Sequence, residues 1–244
     1  DSYAESKYIA KQIEKLYNTK KYTYKDFAIL YRTNAQNRNI SEALSRYKIP
    51  NRVIGGVRFY DRKEIKDIIA YLSVIANSAD TLRLKRIINE PSRKIGAVTL
   101  QNAETLAERE KTNMYEIFKD IENYPEISRA KAAIQGFVDI IEILKEKAAA
   151  LPLDELFDEV LNKSGYLDML KNKGNDEAKD RIENIFEFKS GIISYIKDNE
   201  DNSTLTGFLE EISLVADIDN LDSRADAVTL MTLHSAKGLE YPVV

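Results

Sequence analysis

The sequence contains no cysteine, and this absence excludes several kinds of site at once. Without cysteine there is no disulfide framework, no thiolate metal site and no thiol nucleophile. Histidine occurs once in 244 residues, as His234, so a cluster of histidine metal ligands is excluded too. We therefore expect no metal site in this chain. The lack of cysteine fits a reducing, cytoplasmic location.

Membrane and secretion signals are also missing. No apolar run reaches the ~20 residues that a bilayer-spanning helix needs. The first residues, "DSYAESKYIAKQ", lack the basic-then-apolar order of a signal peptide. We expect no membrane partner. Because the sequence begins without methionine, we also expect an excised fragment, and we expect that fragment to be monomeric.

The common catalytic motifs are absent as well. The nine glycines never give the G-x-x-x-x-G-K-[ST] spacing of a phosphate loop. No G-x-S-x-G nucleophile elbow supports a Ser-His-Asp triad. We therefore assign no catalytic residue within these 244 residues.

Charge is distributed unevenly along the chain, whose net charge is −4. The segment from Lys20 to Lys66 holds twelve Lys and Arg residues but only four Asp and Glu residues. The rest of the chain therefore holds 24 Lys and Arg residues against 36 Asp and Glu residues. A basic segment on an acidic chain is typical of a phosphate-binding surface. A solvated basic surface explains the pattern equally well, and charge alone does not separate the two interpretations.

Hydrophobic spacing predicts an α/β fold that is interrupted and then resumed. The chain opens with a helix, a buried strand in "DFAILYR", a second helix in "NISEALSRYK" and a strand in "NRVI", which is a βαβ pattern typical of parallel sheets. From Asp61 to Ala216 the spacing is mostly helical, and the polar stretch "DIDNLDSRADA" then reads as a linker. Strand character returns in "AVTLMTL" and "YPVV". The fold class is therefore α/β with a large all-helical insertion.

One stretch of interest is "INEPSRKIGAVTL", which starts at Ile88. A helix is expected to end before Pro91, and another is expected to begin near Gly96. The unpaired N–H groups at the start of a helix can hold a phosphate oxygen. Arg93 and Lys94 add positive charge at the same point. The alternative is an ordinary helix–turn–helix connection.

The other stretch is "TLHSAKGLEYP", from Thr232 to Pro242. It follows a buried strand, and ligands of parallel α/β sheets lie outside the carboxyl ends of the strands. His234 stands there beside Thr232, Ser235 and Lys237. The alternative is a histidine with a purely structural role.

Four segments in order carry a resemblance to a known family. "AVTLMTLHSAKGLEYPVV" resembles motif V of the UvrD/PcrA/Rep group of superfamily 1 DNA helicases, and "DFAILYRTNAQNR" resembles their motif IV region. "GGVRFYDRKEIKDIIAYLSVIAN" resembles the entry into their 2B subdomain. "INEPSRKIGAVTL" resembles the turn with which they contact duplex DNA. The resemblance covers essentially the whole chain.

The resemblance implies a domain organisation. These helicases have two RecA-like motor domains, 1A and 2A, each carrying an insertion, 1B or 2B. Residues 1–55 and 224–244 are then a partial RecA-like parallel sheet of domain 2A, interrupted by a helical 2B subdomain at 56–223. Gly55 and Gly56 are implied to form the outgoing hinge, and "NLDSRADA" the return linker.

The resemblance also implies the roles of single residues. Arg32, Asn34, Arg38, Thr232 and His234 match positions that face single-stranded DNA. Glu240 matches the glutamate that meets the ribose of the nucleotide. The residues implied to contact duplex DNA are Arg93, Lys94, Gly96 and Thr99.

For the full-length protein the resemblance implies an ATP-dependent DNA helicase, translocating three-prime to five-prime, with ATP and Mg²⁺ as cofactors. The phosphate loop and magnesium ligands belong to domain 1A, so residues 1–244 alone are expected to bind no cofactor and to hydrolyse nothing. The implied partners are single-stranded DNA, duplex junctions, and repair or transcription proteins. Two alternatives stay open: 2B as a protein-interaction or autoinhibitory module with minor DNA contact, and a helicase–nuclease subunit.

One departure from the family pattern concerns the duplex-contacting turn. It usually reads Gly-Ile-Gly, whereas this sequence has Lys94-Ile95-Gly96. A lysine with positive φ costs about 1–2 kcal/mol. Either the turn does not need that conformation or it is rearranged.

Overall fold

The computed structural model describes residues 2–32, 37–54, 59–219, 226–233 and 235–244. Four residues with predicted roles lie outside these ranges: Asn34, Gly55, Gly56 and His234. Most of the predicted return linker, residues 220–225, lies outside them too.

A three-stranded parallel sheet is formed by the two strands near the start of the chain and one near its end. The strands are β1 (Ala28–Tyr31), β2 (Asn51–Ile54) and β3 (Val228–Thr232). Their order is β1-β3-β2, so the last strand in the chain is the central one. The prediction of a parallel sheet is confirmed. The segment "YPVV" adds only a single parallel bridge, between Phe27 and Val243.

Two helices pack with this sheet, α1 (Ser2–Tyr17) and α2 (Asn37–Arg46). Apolar side chains at helical spacing on α1 and α2 meet the strands in one core. Its fully buried members include Ala10, Leu44, Val228 and Leu230. Buried and exposed residues do not alternate along β3. Four consecutive residues are buried, as expected for the central strand of a parallel sheet.

The rest of the described chain is helical. The helices are α3 (Lys63–Ala76), α4 (Thr81–Ile87), α5 (Ala97–Glu110), α6 (Met114–Lys119), α7 (Lys131–Ala148), α8 (Leu153–Lys163), α9 (Tyr166–Lys173), α10 (Asp176–Asn199) and α11 (Leu205–Asp219). Within this region α3 is buried along most of its length, and other helices surround it. The helical prediction for 61–216 is confirmed in its main lines.

The chain divides into two compact units. Unit 1 comprises residues 1–62 and 210–244, and unit 2 comprises residues 63–209. The boundaries expected from sequence lay at 55/56 and 223/224. The second boundary between the units lies within α11, and the first residues of the predicted linker "DIDNLDSRADA", up to Asp219, are helical and belong to unit 1. Within the described ranges, none of the helices combines the length and apolar character needed to cross a membrane.

Candidate nucleic-acid interface

The carboxyl edge of the sheet brings two of the predicted segments together within unit 1. Tyr31 pairs with Thr232 in register, and the Leu233 N–H donates to the Tyr31 carbonyl at 3.0 Å. Arg32 and Leu233 therefore leave the sheet side by side. This edge is where ligands of open parallel α/β sheets bind.

Thr232 shapes the turn that follows β3. Its Oγ1 lies 3.0 Å from Ser235 Oγ and accepts a hydrogen bond from the Ser235 N–H at 3.2 Å. The Ala236 N–H donates to the Thr232 carbonyl at 3.1 Å. These bonds make a compact turn, and His234, which stands between Leu233 and Ser235 in the sequence, lies outside the described residues. Thr232 is half-buried.

Directly beyond this turn, residues 237–240 are exposed. Lys237 and Glu240 are exposed, and Gly238 between them has φ 86°, a left-handed conformation that glycine adopts without steric cost. The exposed carboxylate of Glu240 is accessible to a ligand. Among the described residues, no group of three or more His, Asp or Glu side chains is placed to hold a metal ion.

Arg32 and Arg38 occupy different environments although both were predicted to contact single-stranded DNA. Arg32 is exposed, whereas Arg38 is 5% exposed. Arg38 Nε donates to Glu42 at 2.7 Å, and its guanidinium lies 5.3 Å from the centre of the Phe59 ring. Tyr60 Oη donates to the same Glu42 oxygen at 2.7 Å, and burial raises the pKa of Tyr60 well above its usual value. The Arg38 side chain is thus engaged within unit 1.

Asn37, at the start of α2, was not singled out by the sequence. It is 1% exposed, and neither atom of its side-chain amide has a hydrogen-bond partner in the described part of the chain. The buried Tyr31 hydroxyl is likewise without a partner there. Each such atom costs about 1–3 kcal/mol if nothing satisfies it. No sequence signal separates this buried asparagine from an exposed one.

The second predicted site is the turn between α4 and α5 in unit 2. Arg93 is half-buried, and its guanidinium points into the unit, 5.2 Å from the centre of the Phe137 ring. Nη1 donates to three backbone carbonyls, and Nη2 donates to a hydroxyl and a further carbonyl. The acceptors are the carbonyls of Ile87 (3.1 Å), Ile88 (3.1 Å), Pro91 (3.2 Å) and Ser164 (3.3 Å), and the hydroxyl of Tyr71 (2.9 Å).

Asn89 holds the same turn from its other side. Its Oδ1 accepts from the N–H groups of Arg93 at 3.3 Å and Ile95 at 3.1 Å, and its Nδ2 donates to the Ile95 carbonyl at 2.7 Å. Asn89 thus bonds to the residues on both sides of Lys94. Sequence reasoning missed Asn89, and its place two residues before Pro91 was the only available signal, since asparagine often bonds to nearby backbone in turns.

Lys94 takes the left-handed conformation, with φ 59°, and its side chain is exposed. The turn therefore keeps the backbone shape that the Gly-Ile-Gly pattern favours, even with lysine in the first position. Gly96 has φ −71°, and a Cβ added there would meet no atom of the described chain within 4 Å. The fold does not require glycine at this position. What the missing side chain provides is open space over the start of α5.

The N-terminus of α5 is accessible to an anion. Gly96 is its N-cap and supplies no capping side chain. The N–H groups of the first turn have no intrahelical acceptors, and the helix dipole places partial positive charge there. Val98 is 74% exposed and Thr99 is half-buried at the same end. Lys94 therefore places one exposed cation beside backbone N–H groups that have no intrahelical acceptors.

The family model and the individual relatives both relate this chain to DNA helicases. The family model for the UvrD-like helicase C-terminal domain matches residues 1–244. The chain is 40% identical over 250 residues to the ATP-dependent DNA helicase PcrA of Bacillus subtilis, covering 100% of this chain and 34% of the relative. It is 42% identical over 245 residues to PcrA of Staphylococcus epidermidis, covering 98% of this chain and 33% of the relative. The chain thus spans about a third of the length of these relatives.

Proposed function

Because this chain belongs to the family of UvrD-like helicase C-terminal domains, we propose that its full-length protein is an ATP-dependent DNA helicase that translocates three-prime to five-prime and unwinds duplex DNA. Family membership confirms the resemblance to the UvrD/PcrA/Rep group that four sequence segments carry. The similar proteins from Bacillus subtilis and Staphylococcus epidermidis are named ATP-dependent DNA helicases. Repair or transcription proteins are its further partners in this proposal.

The two compact units are proposed to be parts of the two subdomains. Unit 1 carries the parallel sheet and the segments like motifs IV and V, so it represents domain 2A. Unit 2 is built of helices and carries the turn at Arg93–Gly96, so it represents 2B. In a RecA-like motor, strands of this type carry ligand contacts at their carboxyl edge.

Single-stranded DNA is proposed to contact the carboxyl edge of the sheet. Arg32 is exposed there, and the Thr232 turn lies beside it. Asn34 and His234 belong to the same proposal by their positions in the chain. Arg38, being buried, would support the edge. Glu240 is proposed to meet the ribose of ATP, while the phosphates and Mg²⁺ are held outside these 244 residues.

Duplex DNA is proposed to contact the turn before α5. The observation that carries this proposal is the uncapped start of α5 behind an exposed Lys94 and an uncovered Gly96. Backbone N–H groups and a lysine bind phosphate oxygens without reading the base sequence. Lys94, Gly96 and Thr99 are the proposed contacts. The guanidinium of Arg93 supports the turn from within.

The proposal is tested by Lys94→Ala in the full-length protein. A DNA hairpin with a three-prime single-stranded tail is titrated at several salt concentrations, and binding is followed by fluorescence anisotropy. Loss of one phosphate contact should reduce the salt slope of log K by about 0.9. It should also weaken binding about fivefold to tenfold, as expected for a partly solvated charged hydrogen bond.

Lys111→Ala is the matched control. Lys111 is an exposed lysine with φ 54° at the opposite end of the same helix. It should leave both the affinity and the salt slope unchanged. Equal effects of the two substitutions, or no effect of either, would show that the turn is not a duplex contact.

A second function of unit 2, as a protein-interaction module, is favoured by one observation on α10. Phe186 and Ile193 are 51% and 50% exposed. They lie seven residues apart, so they fall on one face of the helix. Changing both to serine should leave hairpin binding unchanged. If the same double substitution abolished binding of a repair or transcription protein while hairpin binding stayed unchanged, the interaction proposal would gain support.

A further inference from the structure

The Arg93 guanidinium is occupied by the protein itself. Its two terminal nitrogens carry four N–H groups, and these serve the five acceptors at the end of α4, in the turn, on α3 and after α8. Tyr71, one of these acceptors, is fully buried and donates to the Glu90 carbonyl at 2.7 Å. Arg93 therefore ties the turn to the interior of unit 2, and neither terminal nitrogen is left with an unused N–H for a phosphate.

Asn89 completes a clamp around the turn. Its amide bonds to the backbone at Arg93 and Ile95, the two neighbours of Lys94. Lys94 is thereby kept in a left-handed conformation that costs a lysine about 1–2 kcal/mol. This shape is fixed before any ligand arrives, so binding does not have to order the turn. The same contacts therefore give a higher affinity than they would from a flexible turn.

We propose that Asn89 and Arg93 are positioning residues, which hold Lys94 and the start of α5 in the geometry that receives a phosphate of duplex DNA, and that Arg93 does not itself bind the DNA. This inference rests on the proposed duplex contact at the turn. It assigns the contact to Lys94 and the backbone N–H groups of α5. It gives Asn89, which carries no charge, a role as large as that of the arginine.

The experiment compares Arg93→Lys and Asn89→Ala in the full-length protein. Neither substitution changes the charge. A lysine cannot bridge carbonyls from several segments as a guanidinium fork does. Both variants should therefore weaken binding of the tailed hairpin about tenfold, the size of one lost charge-assisted contact. Binding of a single-stranded oligonucleotide and ATPase activity stimulated by it should be unchanged.

Matched controls come from α5. Arg109→Lys changes an arginine that bonds to the exposed carboxylates of Glu110 and Glu126. Asn102→Ala removes an asparagine that donates to the Glu126 carbonyl at 3.1 Å. Both should bind the hairpin as the unchanged protein does. Melting followed by circular dichroism shows which variants remain folded, and Asn89→Ala alone suffices if Arg93→Lys unfolds.

A double-mutant cycle distinguishes positioning from a general structural effect. If Asn89 acts through Lys94, then Asn89→Ala should have little further effect once Lys94 is alanine. Hairpin binding by folded Arg93→Lys and Asn89→Ala at the level of the unchanged protein would overturn the inference. Additive losses in the cycle would overturn it too. If Lys94→Ala alone is without effect, the proposed duplex contact fails as well, so the two failures are distinguishable.

Discussion

At the scale of single residues, the left-handed backbone at Lys94 has a cost that substitution can measure. Lys94→Gly removes the clash between Cβ and the following carbonyl, worth about 1–2 kcal/mol. It also gives the unfolded chain more freedom, which costs about 0.5–1 kcal/mol. We expect the free energy of unfolding to rise by about 0.5–1 kcal/mol, the difference of these two effects.

Urea unfolding of the chain measures this change. Lys111→Gly, at a residue with φ 54°, should shift stability in the same direction. Gly96→Ala, at φ −71° with open space around the added Cβ, should leave stability nearly unchanged. A loss of stability in Lys94→Gly would mean that the lysine side chain contributes more to the folded state than its exposure indicates.

The sequence was least informative about the environments of the arginine side chains. Arg32 is exposed, Arg38 is buried against Phe59, and Arg93 is bonded inside unit 2. The sequence indicated positive charge at all three positions but not the direction of the side chains. That direction depends on contacts from distant segments, such as the Ser164 carbonyl on Arg93, which a local pattern does not contain.

At the scale of elements, the pair α6 and α7 is joined by a titratable contact. The Tyr115 hydroxyl donates to Glu142 at 2.7 Å, and Lys145 lies 3.0 Å from the same carboxylate. The Tyr115 hydrogen bond is the main cause of the lowered pKa of Glu142. Burial, followed by the bond to Glu142, raises the pKa of Tyr115.

We expect Tyr115→Phe to destabilise the chain at pH 7 more than at acidic pH. A carboxylate with a lowered folded-state pKa stabilises the fold above its unfolded pKa of about 4.3, and this contribution is lost as the pH falls through the folded pKa. At pH 7 the loss should be about 1 kcal/mol, since Glu142 is 41% exposed and solvent screens the bond.

Thermal unfolding at pH 7 and near pH 3 measures this difference. Tyr8→Phe, at a residue that is 63% exposed, is the control and should have no effect at either pH. A Tyr115→Phe deficit that stays constant between the two pH values would show that the bond does not depend on ionised Glu142.

Elements with strong periodicity were predicted well. The helices of unit 2 and the three strands follow the spacing of apolar residues, because burying one face stabilises each element. The ends were less certain, as α11 shows by extending to Asp219 into a polar stretch. The strand order could not be predicted from local hydrophobic spacing, because it depends on how β3 pairs with two strands that lie far earlier in the chain.

At the scale of the whole molecule, unit 2 is one continuous segment with its own core. We expect residues 63–209 expressed alone to fold, because their large buried side chains, including Phe118, Phe137, Phe157 and Phe188, belong to the same unit. Circular dichroism should show helix, and urea should unfold it in one cooperative step. A non-cooperative transition would mean that unit 2 depends on the rest of the chain.

The position of β3 between β1 and β2 has a consequence for biosynthesis. The ribosome must add residues 55–227 after completing β2 before it can make the central strand. At 5–20 residues per second this takes roughly 10–35 s. During that interval β1 and β2 have no central strand to pair with, and the continuous helical unit, residues 63–209, is fully synthesised before β3 is made. The nascent chain therefore completes the synthesis of unit 2 before its sheet can form. The apolar strands β1 and β2, unpaired until then, are the segments on which a chaperone would act.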